Sequence, residues 1–361
     1  MNSGTGALTL ALRAISGNTT RKKVILPAYT CPSLLASIIK SGLEPVLCDL
    51  EAHSFQMDRD LLEGQMGPDV LAVIAVHLFG VPENILGIME IAGEKGVAVI
   101  EDAAQAFGNR LPGADPATSN SRALLGSFGD IGILSFGRGK PLSFLAGGTV
   151  LVNNADYRGM VQAHYSSLPT FEYFPSKASY LLNLLLYAIV YHPNLYWIPQ
   201  GIPWLKLGET VFSLDFEIGR LNPQALRIGR ILMKNFERYR KGRERIARTY
   251  TEKLKELSDE FFYIPERGGD DICLLRFPVI LKNKERRDRI LVELKKRGLG
   301  ATGMYPVPLN EQEGIPRALF SDKLYPNAKH LSERIMTLPL HEYVSEKEIS
   351  FIGEVFRRYL Q

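Results

Sequence analysis

Cysteine is scarce in this chain of 361 residues: there are three, Cys31, Cys48 and Cys273, far apart and without a CxxC pair. That argues against a disulfide framework and a structural zinc site, so no metal is expected and a reduced, cytoplasmic protein is. An excess of one charge is missing too, the formal net charge being only +4. A nucleic-acid binder would need a clustered basic face. The basic stretch KNFERYRKGRERIARTYTEKLK instead intersperses Glu at helical spacing, as a solvated helix face laced with ion pairs does. No basic segment precedes the short apolar run in MNSGTGALTLALRAISG, so this opening does not read as a signal peptide. A long hydrophobic run is also absent. The greasiest segment, SYLLNLLLYAIVYHPNLYWIPQGIPW at 179–204, is interrupted by Pro193, and its unbroken part is shorter than the ~20 residues a spanning helix needs. It reads as a helix buried at a domain or subunit interface. A helix lying on a membrane surface is the sharper alternative, supported by its Tyr and Trp residues but by no basic face within the segment.

What is present is a chain long enough for two domains, with the 45% hydrophobic and 23% charged composition of a globular protein. In the first half, β-rich runs (KVILPAY, EPVLCDL, DVLAVIAVHLFG, GVAVIEDAAQ, DIGILSFG, GGTVLVNN) alternate with amphipathic stretches such as CPSLLASIIKSG and ENILGIMEIAGEKG. Alternation of this kind predicts an α/β domain with a mostly parallel sheet flanked by helices, over residues 1–220 and including the apolar insertion at about 179–204. A helical pattern from about Pro223 to Leu257 then leads into a strand, CLLRFPVIL, and two more helices. The sequence therefore predicts a smaller α+β C-terminal domain within 221–361, joined by one long helix.

Ligands of such sheets bind beyond the carboxyl ends of the strands, and several polar residues fall there. Gly4, Thr5 and Gly6 open a helix, where free N–H groups can hold a phosphate; most such strings are only capped turns. Four apolar residues lead to Glu101, Asp102 and then Gln105. A carboxylate at the end of a buried strand is costly unless a cation or donor meets it, although an Asp here is equally suited to cap the following helix. His77 ends another strand, where a satisfied structural histidine is at least as common as a ligand. Ser135 and Lys140 lie on ILSFGRGKPLSFLAGG, a strand followed by a glycine-rich turn. A lone lysine in apolar surroundings can act as an amine nucleophile. Pyridoxal phosphate needs this amine, an acid partner for its ring nitrogen and donors for its phosphate.

The order SGTGAL … PAYTCPSLLASIIKSGLEPVLCDLE … VHLFGVPENI … VIEDAAQAFG … GDIGILSFGRGK … TLPLHEYVSEKEI resembles the DegT/DnrJ/EryC1/StrS family over nearly the whole chain. The resemblance implies the PLP-dependent transferase type I fold and an aminotransferase with pyridoxal 5'-phosphate as cofactor. The implied donor is a glutamate-type amino acid and the acceptor a nucleotide-linked keto sugar, acted on by a homodimer with its active sites between subunits. By position, Lys140 would be the Schiff-base residue and proton shuttle, Asp102 would hold the pyridine nitrogen protonated, and Gln105 would sit near the ring hydroxyl. Gly4, Thr5, Gly6 and Ser135 would bind the phosphate. Cys31 falls at the ring-stacking position, where relatives often carry an aromatic residue. In the YPVPLN string, Tyr305 and Asn310 fall at the substrate, with Asn310 where a His is usual. Relatives carry a few dozen residues ahead of SGT, so an upstream segment or a lost element is expected. The altered positions leave a second reading, a weakly active or inactive paralogue with a scaffolding role.

Overall fold

The computed structural model describes residues 1–112, 124–171, 177–190, 211–265, 272–316, 319–320 and 323–361. Its centre is a six-stranded sheet of Lys23–Pro27 (β1), Glu44–Cys48 (β2), Val70–Val76 (β3), Ala98–Asp102 (β4), Ile131–Ser135 (β5) and Gly148–Val152 (β6), in the order β2-β1-β3-β4-β5-β6. Paired neighbours run parallel except β6, which returns antiparallel to β5. Every residue of β3 is buried, as a parallel strand covered on both faces allows. Alternate residues feed opposite layers. Val24 and Leu26 of β1 join the core built with Gly4–Ser16 (α1), Pro32–Lys40 (α2) and Arg158–Ser167 (α5). Ile25, between them, joins the core built with Arg59–Gln65 (α3) and Ile85–Lys95 (α4).

Two short strands, Thr170–Phe171 (β7) and Arg220–Leu221 (β8), pair with each other, and Lys177–Val190 (α6) lies between them in sequence. The single long helix predicted after Pro223 is two helices, Pro223–Met233 (α7) and Phe236–Leu254 (α8), parted at Lys234–Asn235. Asn235 leaves helical geometry (φ −100°, ψ 1°), and Phe236 instead packs on Gly108, where a Cβ would come within 2.6 Å of the ring. Tertiary packing overrides the continuous helical pattern here.

Phe261–Tyr263 (β9), Phe277–Leu281 (β10) and Ile335–Leu338 (β11) form an antiparallel sheet in the order β11-β10-β9. With Lys284–Lys296 (α9) and Glu346–Leu360 (α11) they enclose a core of their own. The C-terminal half also reaches into the first core, where Tyr305, Leu309, Tyr325 and Leu331 pack in one cluster with α1 and α2 residues. Asp49, just after β2, accepts the N–H groups of Asn327 (3.0 Å) and Ala328 (2.8 Å) at the start of Pro326–Arg334 (α10). These contacts carry the segment around Tyr305 to the carboxyl edge of the large sheet.

Candidate active site

Four strands deliver polar residues to that edge. β1 runs into Tyr29–Cys31, β3 into His77, β4 into Asp102 and Gln105, and β5 into Ser135 and the lysine loop. Register sets Asp102 beside Val76 on one side and Ile133 on the other. The N-terminal turn of α1 meets Ser135: a Cβ on Gly4 would lie 2.7 Å from the Ser135 Cβ and Oγ, so only glycine lets the hydroxyl and the helix end approach so closely. The Gly6 N–H is taken by Ser3 Oγ (2.9 Å), which leaves the first-turn N–H groups of Gly4 and Thr5 pointing out of the helix beside that hydroxyl.

Asp102 is buried, and its Oδ1 accepts the Ala104 N–H at 2.9 Å; no helix begins at Ala103, so it closes a turn after β4 and does not cap the helix expected there. Its other oxygen has no partner among the described residues. Burial pushes the Asp102 carboxyl up, and nearby Lys140, then His77, act against that. A buried carboxylate with one free oxygen is a site that favours a cationic partner. Lys140 is half-buried and makes no hydrogen bond or ion pair among the described residues, and it stands close enough to Asp102 to stabilise its charge. The lysine loop also holds Ser143, whose buried hydroxyl has no hydrogen-bond partner. Nothing in the sequence marks a turn serine out for this.

Glu101 faces the other way and is fully buried. Its Oε1 accepts His77 Nε2 at 2.8 Å, and its Oε2 accepts the N–H groups of Phe128 (2.8 Å) and Gly129 (3.1 Å). The His77 Nδ1 accepts the Glu83 N–H at 3.0 Å, which places the ring proton on Nε2. His77 is thus a satisfied structural histidine. Burial alone would raise the Glu101 carboxyl, but the His77 hydrogen bond and the backbone donors outweigh it and hold the group below the ordinary glutamate range. The His77 N–H also donates to the Asp102 carbonyl (3.1 Å), so this brace pins the backbone of the residue next to it.

Tyr305 closes the opposite side. Its hydroxyl receives Gln105 Nε2 at 3.4 Å and lies beside the Cys31 thiol, while Cys31 Sγ lies 2.9 Å from Ser33 Oγ. Burial, with Cys31 beside it, raises the Tyr305 hydroxyl well above its usual range. Gln105 Oε1 takes the Phe79 N–H at 3.0 Å. Tyr305 lies beside Cys31 and edge-on to Tyr29 (centroids 5.6 Å, 67°). Asn310, in the short helical turn after Pro308, has a buried Oδ1 without a partner; the preceding Leu309 N–H bonds the Ala28 carbonyl at 2.8 Å. Phe79 (φ 58°), Leu145 (φ 74°) and Met304 (φ 51°) have left-handed backbone. All three adjoin these groups, where strain of about 1–3 kcal/mol each is held by surrounding structure.

These residues suit pyridoxal phosphate. An amine and a buried carboxylate oxygen that have no partner among the described residues, and a glycine-opened helix end beside a serine hydroxyl, answer its aldehyde, its ring nitrogen and its phosphate. Among the described residues no cluster of His, Cys, Asp and Glu could hold a metal ion.

The model of the DegT/DnrJ/EryC1/StrS aminotransferase family matches residues 1–166 and 218–357. A curated relative, a UDP-N-acetyl-3-dehydro-alpha-D-glucosamine 3-aminotransferase of Acidithiobacillus ferrooxidans, is 29% identical over 360 residues, covering 99% of this chain and 83% of its own. Among solved structures, a DegT DnrJ EryC1 StrS aminotransferase from Brucella abortus superposes with a TM-score of 0.72 at 25% identity, over 99% of this chain and 84% of the other. A candidate sugar aminotransferase of Streptococcus pneumoniae in its PLP form shares the fold, with a TM-score of 0.71 at 19% identity, over 100% of this chain and 87% of the other.

Proposed function

The chain belongs to the DegT/DnrJ/EryC1/StrS aminotransferase family, and on that premise we propose that it moves an amino group from glutamate to a nucleotide-linked keto sugar. The observation that carries the reading is the pairing of Lys140 with Asp102, an amine and a buried carboxylate oxygen that both lack a hydrogen-bond partner among the described residues. Relatives with keto-sugar chemistry in their names, such as the glucosamine 3-aminotransferase, support the acceptor class.

When bound, pyridoxal phosphate supplies an aldehyde that takes an amine and a pyridinium ring that draws electrons from the neighbouring carbon. The chain's own residues do the rest. Asp102 keeps a proton on the ring nitrogen, because its buried charge is best satisfied by a cation. Lys140 Nζ would hold the cofactor's aldehyde and would carry a proton to and from the substrate carbon. The N–H groups of Gly4 and Thr5 and the Ser135 hydroxyl hold the phosphate. Gln105 and Tyr305 would line the ring, and the burial of both would exclude water from it. We place the working unit in a homodimer, and its product among the amino sugars of a surface polysaccharide or secondary metabolite.

The test is reconstitution with pyridoxal phosphate followed by borohydride reduction and peptide mapping. The cofactor is expected on Lys140, with Lys140→Ala losing both the visible absorption and the label; a label on another lysine would refute the assignment. A screen of nucleotide-linked keto sugars with glutamate then identifies the acceptor.

A further inference from the structure

Both hydrogen bonds that orient the Gln105 amide depend on the C-terminal half of the chain. Its Oε1 accepts the Phe79 N–H at 3.0 Å, and its Nε2 donates to the Tyr305 hydroxyl at 3.4 Å. Only the carbonyl end of an amide can meet an N–H, so the Phe79 contact decides which way the side chain faces. Nε2 carries two protons and Tyr305 takes one; the second has no acceptor among the described residues. Gln105 is buried, and a buried donor left unmet is costly. That proton therefore suits an oxygen of a bound molecule.

The Phe79 N–H sits in an unfavourable turn. Phe79 has φ 58° and ψ 10°, a left-handed backbone that a phenylalanine seldom adopts. Gly80 follows at φ 89°, and a Cβ there would lie 2.9 Å from the Cys273 carbonyl oxygen. Asn109 ties this turn to residues 273–275. It is fully buried. Its Nδ2 donates to the Gly80 carbonyl at 3.0 Å and to the Cys273 carbonyl at 3.2 Å, and its Oδ1 accepts the Cys273 N–H at 3.0 Å. Beside it, the Leu275 N–H donates to the Phe79 carbonyl at 2.8 Å. Both Asn109 amide protons are taken by backbone, so this side chain has none to give a ligand.

We propose that Asn109 is a positioning residue for the cofactor site: by holding the Phe79–Gly80 turn against residues 273–275, it keeps Gln105 turned with its NH2 group toward the ring oxygen of pyridoxal phosphate. The inference rests on the reading above that Gln105 lines that ring. Without the Asn109 amide, the Gly80 and Cys273 carbonyls and the Cys273 N–H lose their partner. Phe79 then relaxes from its left-handed backbone, which persists only where the surroundings hold it. Its N–H leaves Oε1, and the amide is free to turn its carbonyl toward the ring oxygen, where two acceptors oppose each other. An asparagine that served stability alone would leave the orientation of Gln105 unchanged.

A double-mutant cycle on the full chain separates the two cases. Equilibrium dialysis reads the affinity for pyridoxal phosphate, and titration reads the pH midpoint of the bound cofactor's visible band. Gln105→Ala should weaken binding about tenfold, as one lost hydrogen bond does. It should also raise the midpoint, because a donor at the ring oxygen favours the anion. Asn109→Ala should move both readouts the same way, with affinity falling at least about threefold, a part of that bond. In the Gln105→Ala background the same change should cost less than about twofold, since the group it acts through is gone. Should Asn109→Ala not fold, Asn109→Asp keeps the shape and the acceptor for the Cys273 N–H but offers the two carbonyls at most one proton, and the same pattern is expected. Equal losses with and without Gln105 overturn the proposal, as does an unmoved midpoint in the Asn109 variants. If Gln105→Ala itself moves neither readout, the placing of Gln105 at the ring has failed and the proposal falls with it.

Discussion

Consider replacing Glu101 by glutamine, a change of one oxygen for one NH2 group in a fully buried site. The carboxylate accepts three hydrogen bonds, from His77 Nε2 and from the Phe128 and Gly129 N–H groups. An amide has one accepting end. If its NH2 group faces His77, two donors oppose each other, and moving the ring proton to Nδ1 only transfers the conflict to the Glu83 N–H, 3.0 Å away. If it faces the other way, both backbone donors lose their acceptor. Hydrogen bonds to a buried charged group are worth about 1.5–3 kcal/mol each, so the variant should lose about 3 kcal/mol, a large part of a typical stability of ~5–15 kcal/mol.

The pH dependence has a definite sign. The Glu101 carboxyl is held below the ordinary glutamate value of 4.5, so its stabilisation is present above that pH and lost as acid takes the folded group through its lowered pKa. Urea denaturation followed by tryptophan fluorescence should show the full gap between wild type and Glu101→Gln at pH 7, narrowing well below pH 4.5. A variant within about 0.5 kcal/mol of wild type at pH 7, the range of ordinary surface changes, would refute the account of the brace. So would a gap indifferent to acid.

Asp102→Asn should fold and yet transaminate roughly 10²-fold more slowly or worse, since an amide cannot hold the ring nitrogen protonated; near-normal turnover in a coupled assay would leave Asp102 only the acceptor that closes a turn. Gly4→Ala must push Ser135 aside, because its Cβ would stand 2.7 Å from Oγ, and cofactor retention in equilibrium dialysis should fall about tenfold, the loss of one hydrogen bond to an anion. Glu83 is raised to about 8, by burial first; its folded form keeps a proton that the unfolded chain releases, so it lowers stability as pH climbs from the ordinary glutamate range towards that value. Glu83→Gln should flatten that decline in denaturation curves taken at pH 5 and pH 8, roughly the ends of that range, and an unchanged slope would assign the effect elsewhere.

Composition and period-two or period-3.6 patterning were enough to place the strands and most helices, because each residue's face follows from its position along the element. The runs ending at His77, Asp102 and Ser135 form neighbouring parallel strands, so the alternation also foretold that these residues share an edge. What the chain alone could not decide was which distant groups meet. Tyr305 finds Gln105 across 200 positions, where the Ala28 carbonyl holds the Leu309 N–H and the Asp49 carboxylate holds the Asn327 and Ala328 N–H groups, contacts that have no sequence signature. The helical pattern ran unbroken through Lys234–Asn235, but Phe236 gained more by packing on Gly108 than the helix gained by continuing. Likewise the leucines of α6 announce an apolar face, while only the packing of Tyr180 and Leu184 shows which side meets the lysine loop. Periodicity reports local geometry along one element; contact between elements depends on the shape and hydrogen bonding of surfaces that only the folded chain brings together.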